Sequence, residues 1–93
     1  MASNQKWTIE LDPAAQKELD ELDKPIARRI AKFLCERLGK LDDPRKIGVR
    51  LQGTLSEFWR YRVGNYRIIC SLEHERLVVL VLRIGHRREV YRQ

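Results

Sequence analysis

The sequence predicts an α+β protein: an N-terminal strand, an antiparallel two-helix hairpin, a three- to four-stranded antiparallel sheet and a short basic C-terminal tail. The apolar residues first predict this class, because their spacing is helical up to about residue 41 and alternates from residue 58 onward. The distribution of charged residues supports the same division of the chain into a helical half and a sheet-forming half. Residues 45–93 carry 11 Lys or Arg against four Asp or Glu, whereas residues 1–44 carry eight against nine.

The first half is predicted to form one strand and two helices. Residues 6–11 alternate apolar and polar side chains, which is typical of a short half-buried strand. Asp12 before Pro13 and Asp23 shortly before Pro25 each indicate a helix N-terminus, because the acid accepts bonds from the first turn and proline suits its first position. The short connection between the helices predicts that they run antiparallel.

The second half is predicted to begin with an irregular basic loop at residues 45–54, with a possible short strand near Val49, followed by a sheet. Its strands are expected at residues 58–63, 66–72 and 77–84. Gly64-Asn65 is a turn signal between the first two strands. The third strand is almost continuously apolar, which favours a central position buried on both faces, and Gly85 is expected to end it.

Length and composition restrict the class of protein. With 93 residues, of which 43% are hydrophobic, the chain is expected to form one domain over residues 1–93. Its longest apolar stretch, residues 77–82, is too short to cross a bilayer, and no signal-peptide core precedes it, so a cytoplasmic protein without a membrane partner is expected. Cys35 and Cys70 lack metal-site spacing and are expected to be buried thiols, so we predict no metal and no cofactor.

Cationic side chains are expected to line the sheet face that the helices leave open. Alternation places Phe58, Arg60 and Arg62 on the same face, with the two arginines about 7 Å apart along the strand. Guanidinium groups offer paired donors that match phosphate oxygens, so this face suits a polyanion. The alternative interpretation is a basic surface that only maintains solubility, although solubility does not require segregated charge.

Three sequence segments resemble the RelE/ParE toxin superfamily, and more narrowly its RelE branch of ribosome-dependent mRNA interferases. They are residues 58–63 (FWRYRV), 66–69 (YRII) and 85–91 (GHRREVY). The similarity covers nearly the whole chain, and the ending is its most specific part. It implies a RelE-like fold and a toxin of a type II toxin–antitoxin pair. The implied activity is translation inhibition by a metal-independent endoribonuclease, in which the mRNA 2′-hydroxyl attacks the adjacent phosphorus. The implied partners are a cognate antitoxin protein, mRNA, and the ribosome with its 16S rRNA and A site.

The resemblance also implies roles for individual residues. Arg60 and Arg62 stand where the best-known family member carries two lysines. Arg67 matches an arginine on the next strand. Arg87 matches an arginine that is proposed as the general acid, and Tyr91 matches a tyrosine that orients the substrate. Arginine is a poor proton acceptor, so the role of a lysine base does not carry over. Two candidates for proton transfer are His86, which otherwise supports a turn, and Tyr91 with a lowered pKa. The residues expected to bind RNA are Lys46, Arg50, Phe58, Arg83, Arg88 and Arg92.

Two other functions stay open on the sequence. A member of the ParE branch would inhibit DNA gyrase by binding, without cutting RNA, and fold alone does not separate this from nuclease activity. A non-catalytic nucleic-acid-binding module would show salt-dependent binding and form no product.

Overall fold

A five-stranded mixed sheet, covered by helices on one face, forms the framework of the computed structural model, which describes residues 5–86. The strands are β1 (Thr8–Leu11), β2 (Val49–Arg50), β3 (Phe58–Val63), β4 (Tyr66–Glu73) and β5 (Val78–His86), and the helices are α1 (Pro13–Asp20) and α2 (Lys24–Lys32). The strand order is β1-β5-β4-β3-β2. Within residues 5–86, no helix has the length and apolar character needed to span a membrane.

The position of β1 differs from the predicted sheet. It pairs in parallel with β5, from Thr8 opposite Val78 to Leu11 opposite Val81, and so makes the sheet mixed and five-stranded instead of antiparallel with three or four strands. Alternating residues specify which side chains share a face, but they do not specify a neighbouring strand. The α+β class and the central position of β5 are confirmed.

Both helices begin where the sequence predicts. The Asp12 carboxylate accepts the Ala14 N–H at 3.0 Å, whereas the Asp23 side chain makes no such capping bond. After α2 the chain stays helical in a wider π turn at Phe33–Arg37 and a 3₁₀ turn at Leu38–Lys40. This extension places further apolar residues on the side of the segment that faces the sheet.

The core fills the space between the helices and one sheet face. Its most buried side chains include Ile30, Leu34, Leu38, Ile68, Cys70, Val79 and Val81. Burial raises the pKa of the Cys70 thiol, which is the inert buried residue that the sequence predicts. The prediction for Cys35 is wrong, because this residue is exposed. In a helix it lies about 100° around the axis from its neighbour Leu34, which faces the core.

The β3–β4 hairpin closes as predicted, but β5 does not end at Gly85. Gly64 has a φ of +59°, a conformation that glycine adopts without steric cost. Gly85 pairs with Arg67, and the strand continues to His86. A glycine weakens a strand but still makes ladder hydrogen bonds, so β4 can hold it in the sheet.

Tyr61 fastens the basic loop to β3. Its buried hydroxyl donates a hydrogen bond of 2.8 Å to the carbonyl of Pro44, and burial raises the pKa of this phenol. Gly48 lies against the ring, since a Cβ atom at that position would be 2.8 Å from the Tyr61 ring carbons. The segment that carries Lys46 therefore has a fixed position beside the sheet.

We expect Tyr61→Phe to lower the free energy of unfolding by about 1–3 kcal/mol, because it leaves the Pro44 carbonyl buried without its donor. Urea denaturation would measure the loss. Tyr66→Phe is the matched control, since no hydrogen bond holds the Tyr66 hydroxyl within residues 5–86. Equal effects of the two substitutions would contradict the proposed anchoring role.

Candidate nucleic-acid interface

Strand register brings the predicted cationic residues into two rows on the open sheet face. In the first row Arg60 of β3 lies opposite Ile69 of β4, and Ile69 lies opposite Arg83 of β5. In the second row Arg62 lies opposite Arg67, and Arg67 lies opposite Gly85. The rows are two residues apart along each strand, about 7 Å. Neighbouring side chains on this face therefore form one surface, which we call the arginine cluster (Arg60, Arg62 and Arg67).

Arg67 is the central residue of this cluster. Its Nε and Nη1 atoms are buried and make no hydrogen bond. The residue opposite on β3 is another arginine, and like charges at directly opposed positions destabilise a sheet. The residue opposite on β5 is a glycine, which has no side chain to cover or neutralise the guanidinium. The arrangement is costly in the unliganded protein, and an anion with several oxygens would relieve it.

Arg62 connects the open face with a basic cleft at the outer edge of β3. The cleft has a volume of about 480 Å³ and is lined by Arg29, Lys32, Phe33, Glu36, Arg37, Arg62, Val63 and Gly64. No ion pair within residues 5–86 neutralises Arg29, Lys32 or Arg37. The positive surface thus continues from the sheet, around its edge, to α2 and the helical turn that follows.

Other residues predicted to bind RNA have different positions. Phe58 is half-buried, is in register with Ser71 and shares the face of the arginine cluster. Arg50 pairs with Trp59, so its register places it with the helix-covered face, and its Nε donates to the Ser56 carbonyl at 2.6 Å. Lys46 is exposed on a 3₁₀ turn before β2, at Pro44–Ile47.

Arg83 is held by an acidic residue that the sequence analysis did not identify. Its Nε donates a hydrogen bond of 3.0 Å to one oxygen of Glu18 on α1, and its Nη2 lies 2.9 Å from the same oxygen in an ion pair. This contact raises the pKa of Arg83. The other Glu18 oxygen accepts the backbone N–H of Ile84 at 2.7 Å. Because 65 residues separate Glu18 from Arg83, no local sequence pattern indicates the pair.

His86 does not join the arginine cluster. It lies opposite Tyr66, which packs against the core, and the two rings make an edge contact with centroids 5.8 Å apart. Arg67 and Gly85, one position away on each strand, point to the opposite face. The structure therefore places His86 on the helix-covered side of the sheet, a position that favours its supporting role over proton transfer.

Four residues of the predicted site, Arg87, Arg88, Tyr91 and Arg92, lie outside the described residues. Between residues 5 and 86, no three His, Cys, Asp or Glu side chains are grouped as a metal-ligand set.

This fold is shared with toxins of bacterial and archaeal toxin–antitoxin complexes. Residues 9–91 match the family described as the ParE toxin of the type II toxin–antitoxin system parDE. Because the match spans most of the chain, this protein belongs to the ParE toxin family, within the RelE/ParE superfamily.

Individual relatives agree with this assignment. Toxin RelG of Mycobacterium tuberculosis is 26% identical over 87 residues, which cover 94% of this chain and 98% of RelG. The RelBE2 toxin–antitoxin complex of M. tuberculosis contains a similar chain with a TM-score of 0.82 at 24% identity, covering 96% and 100% of the two chains. The archaeal RelE–RelB complex of Pyrococcus horikoshii gives a TM-score of 0.71 at 27% identity, covering 90% and 98%.

We expect Arg67→Met to raise the free energy of unfolding by about 0.5–2 kcal/mol, because it removes two buried nitrogens without partners and a positive charge opposite Arg62. Inorganic phosphate should raise the melting temperature of the wild type more than that of the variant, since an anion bound at Arg67 stabilises the folded state.

Arg76→Met is the matched control. Arg76 is exposed in the β4–β5 turn and pairs with Glu73 at 2.7 Å, so its loss should not stabilise the protein. Destabilisation by Arg67→Met that is as large as that caused by the control would contradict an unrelieved charge at Arg67.

Proposed function

We propose that this toxin is a ribosome-dependent endoribonuclease that cleaves mRNA in the A site and thereby inhibits translation. The observation that supports this most directly is the half-buried Arg67 between Arg62 and Gly85, whose Nε and Nη1 are buried without a hydrogen-bond partner. An arginine with a purely structural role normally has hydrogen-bond or ion-pair partners in the protein, whereas an arginine that binds phosphate lacks them in the unliganded protein. Strand register preorganises the charge, as stabilisation of a transition state requires.

The proposed reaction needs no metal ion. The 2′-oxygen attacks the neighbouring phosphorus while it loses its proton, and the bond from phosphorus to the 5′-oxygen of the next nucleotide breaks. The products are a 2′,3′-cyclic phosphate and a 5′-hydroxyl, which receives a proton. Negative charge on the non-bridging oxygens rises in the transition state, and Arg67 and Arg62 would donate hydrogen bonds to those oxygens. Arg60, in the adjacent row, would hold the flanking phosphate.

The general base is not a member of the arginine cluster. Arginine is a poor proton acceptor, so Arg60, Arg62 and Arg67 would stabilise charge and not take the 2′-hydroxyl proton. We assign the general acid to Arg87 and the orienting role to Tyr91, as the resemblance to RelE toxins implies, with Tyr91 also the candidate for the base. His86 supports the end of β5 through its contact with Tyr66.

The partners we propose follow from the same surface. The solved relatives include complexes of RelE with the antitoxin RelB, and we propose a cognate antitoxin that covers the arginine cluster of this chain. The basic cleft, with Arg29, Lys32 and Arg37, would contact the phosphate backbone of 16S rRNA while mRNA occupies the open face.

A second candidate function is inhibition of DNA gyrase without RNA cleavage. The observation that favours it is the match to the family that is described by its ParE toxin. In that case the arginine cluster would bind a protein partner or DNA, and purified protein would block gyrase supercoiling and leave mRNA intact on the ribosome.

The deciding experiment adds purified toxin to ribosomes programmed with a defined mRNA, with free mRNA in parallel, and maps breaks by reverse transcription. We expect a break within the A-site codon that is absent from free mRNA. Arg67→Ala should reduce its rate by about 10²–10³-fold, the effect of removing one preorganised donor. The control Arg76→Ala also removes one positive charge, but from a turn at the far end of the β4–β5 hairpin, and should keep nearly the wild-type rate. The absence of any break with the wild type would refute the proposal, and gyrase supercoiling would then be assayed.

We expect His86→Gln to keep cleavage within about threefold of the wild type. A residue that transfers a proton in the transition state contributes about 10²–10⁴-fold, and His86 does not share the face of the arginine cluster. Single-turnover rates on programmed ribosomes between pH 6 and pH 8 would measure both the rate and any lost titration. A hundredfold decrease, together with loss of a pH-dependent step near neutrality, would instead assign proton transfer to His86.

A further inference from the structure

We propose that Glu18 is a positioning residue, which anchors the C-terminal end of β5 and so keeps Gly85 opposite Arg67. Its influence on cleavage rests on the function proposed above, but the anchoring itself does not. Glu18 belongs to α1 and lies on a different element from every residue of the arginine cluster.

The end of β5 needs an anchor because β1 does not extend along it. The last hydrogen bond between the chain at β1 and β5 joins the Asp12 N–H to the Val81 carbonyl, at 2.8 Å. From Leu82 to His86, β5 therefore has only β4 as a strand neighbour within residues 5–86. An edge with unsatisfied N–H and C=O groups frays more easily than a strand that is paired on both sides.

A register irregularity weakens the same segment from the β4 side. Ile69 pairs with Arg83 whereas the next residue, Cys70, pairs with Val81, so Leu82 is an extra residue in the ladder. A bulge of this kind disrupts the ladder locally and bends the strand. Residues 83–86 are thus a short segment beyond both the bulge and the end of β1.

Glu18 supplies two bonds at this point. One carboxylate oxygen accepts the Ile84 N–H at 2.7 Å, in the place where a neighbouring strand would otherwise supply a carbonyl. The other accepts a hydrogen bond from Arg83 Nε at 3.0 Å and lies 2.9 Å from Nη2 in the same ion pair. The Glu18 side chain is only 25% exposed, against 55% for Arg83, so the backbone bond is the more shielded of the two.

The position of this anchor links it to the site. Ile84 directly precedes Gly85, the residue of β5 that pairs with Arg67. A strand end that moves by about 1 Å would displace Gly85 relative to Arg67 and a bound phosphate, and misplacement of this size costs up to about 10²-fold in rate.

The test compares Glu18→Ala, Glu18→Gln and the control Glu21→Ala, all made in the full chain. Glutamine keeps an oxygen for the Ile84 N–H but loses the ionic contact with Arg83, whereas alanine loses both. Glu21 is exposed at the end of α1, so its removal changes the net charge by the same amount. Hydrogen exchange at the Ile84 amide reports the anchor, and kcat and KM on programmed ribosomes report its effect on the site.

We expect Glu18→Ala to speed exchange at Ile84 by at least about tenfold while Val79, in the doubly paired part of β5, is unaffected. The same variant should lower kcat by about tenfold with KM unchanged or reduced, since the released Arg83 adds attraction for RNA. Glu18→Gln should largely restore both the exchange protection and kcat. Unchanged exchange in Glu18→Ala, or equal defects in Glu21→Ala, would overturn the proposal.

The two proposals fail in distinguishable ways. If the wild type cuts no mRNA, the endoribonuclease proposal fails, and exchange at Ile84 alone decides whether Glu18 anchors β5. If the wild type cuts mRNA and Glu18→Ala exposes the Ile84 amide without lowering kcat, the anchor exists but does not position the site, and this inference is refuted. If Glu18→Ala does not fold, Glu18→Leu removes the acceptor of the Ile84 N–H and keeps a side chain of similar volume, so exchange at Ile84 in that variant gives the same decision.

Discussion

The register of β4 between β3 and β5 is the constraint on which the proposed site depends. It places Arg67 opposite Arg62 on one side and opposite Gly85 on the other. A shift of one residue would move Arg67 to the helix-covered face and the core residues Ile68 and Cys70 to solvent. The burial of those two residues therefore fixes the position of Arg67, so the hydrophobic core determines the geometry of the charged face.

Because core residues fix the register of β4, the fold tolerates two arginines at directly opposed positions. Two guanidiniums at facing positions disfavour the β3–β4 pairing, yet the same two strands contribute Tyr61, Ile68 and Cys70 to the core. Burial of each large apolar side chain contributes about 1.5–3 kcal/mol, more than a repulsion between partly solvated charges removes. The free energy that offsets this repulsion thus comes from residues on the opposite face of the same strands.

Much of this arrangement could be predicted from the sequence, because alternation records which residues share a face. The common face of Phe58, Arg60 and Arg62 and the turn at Gly64 follow from local spacing alone. The parallel partner of β1 could not be predicted, since the pairing joins residues about 70 positions apart. The sequence also makes His86 a candidate for proton transfer, because histidine titrates near neutrality. Only the pairing of His86 with Tyr66 places it on the helix-covered side.

In the helical half of the chain, too, local spacing predicts only part of the structure. The apolar stripe of α2 and its extension predicted the buried faces of Ile30 and Leu34, but treating Cys35 as buried ignored its angular position next to Leu34. Glu18 lies on a polar face that gives no sign of its partner, so only the tertiary structure identifies its contacts with β5.

Arg67 and Arg83 illustrate why exposure and charge alone do not identify a ligand site. Both lie on the open face, and both are arginines that a sequence pattern would assign to RNA. Arg83 is the more exposed, but its guanidinium already has a carboxylate partner, so binding a phosphate there would require breaking an existing ion pair. Arg67 is more buried, and its Nε and Nη1 have no partner, so a phosphate there would gain hydrogen bonds without breaking an existing ion pair. The free energy available for binding an anion is therefore greatest at the residue whose charge the protein itself has left unsatisfied.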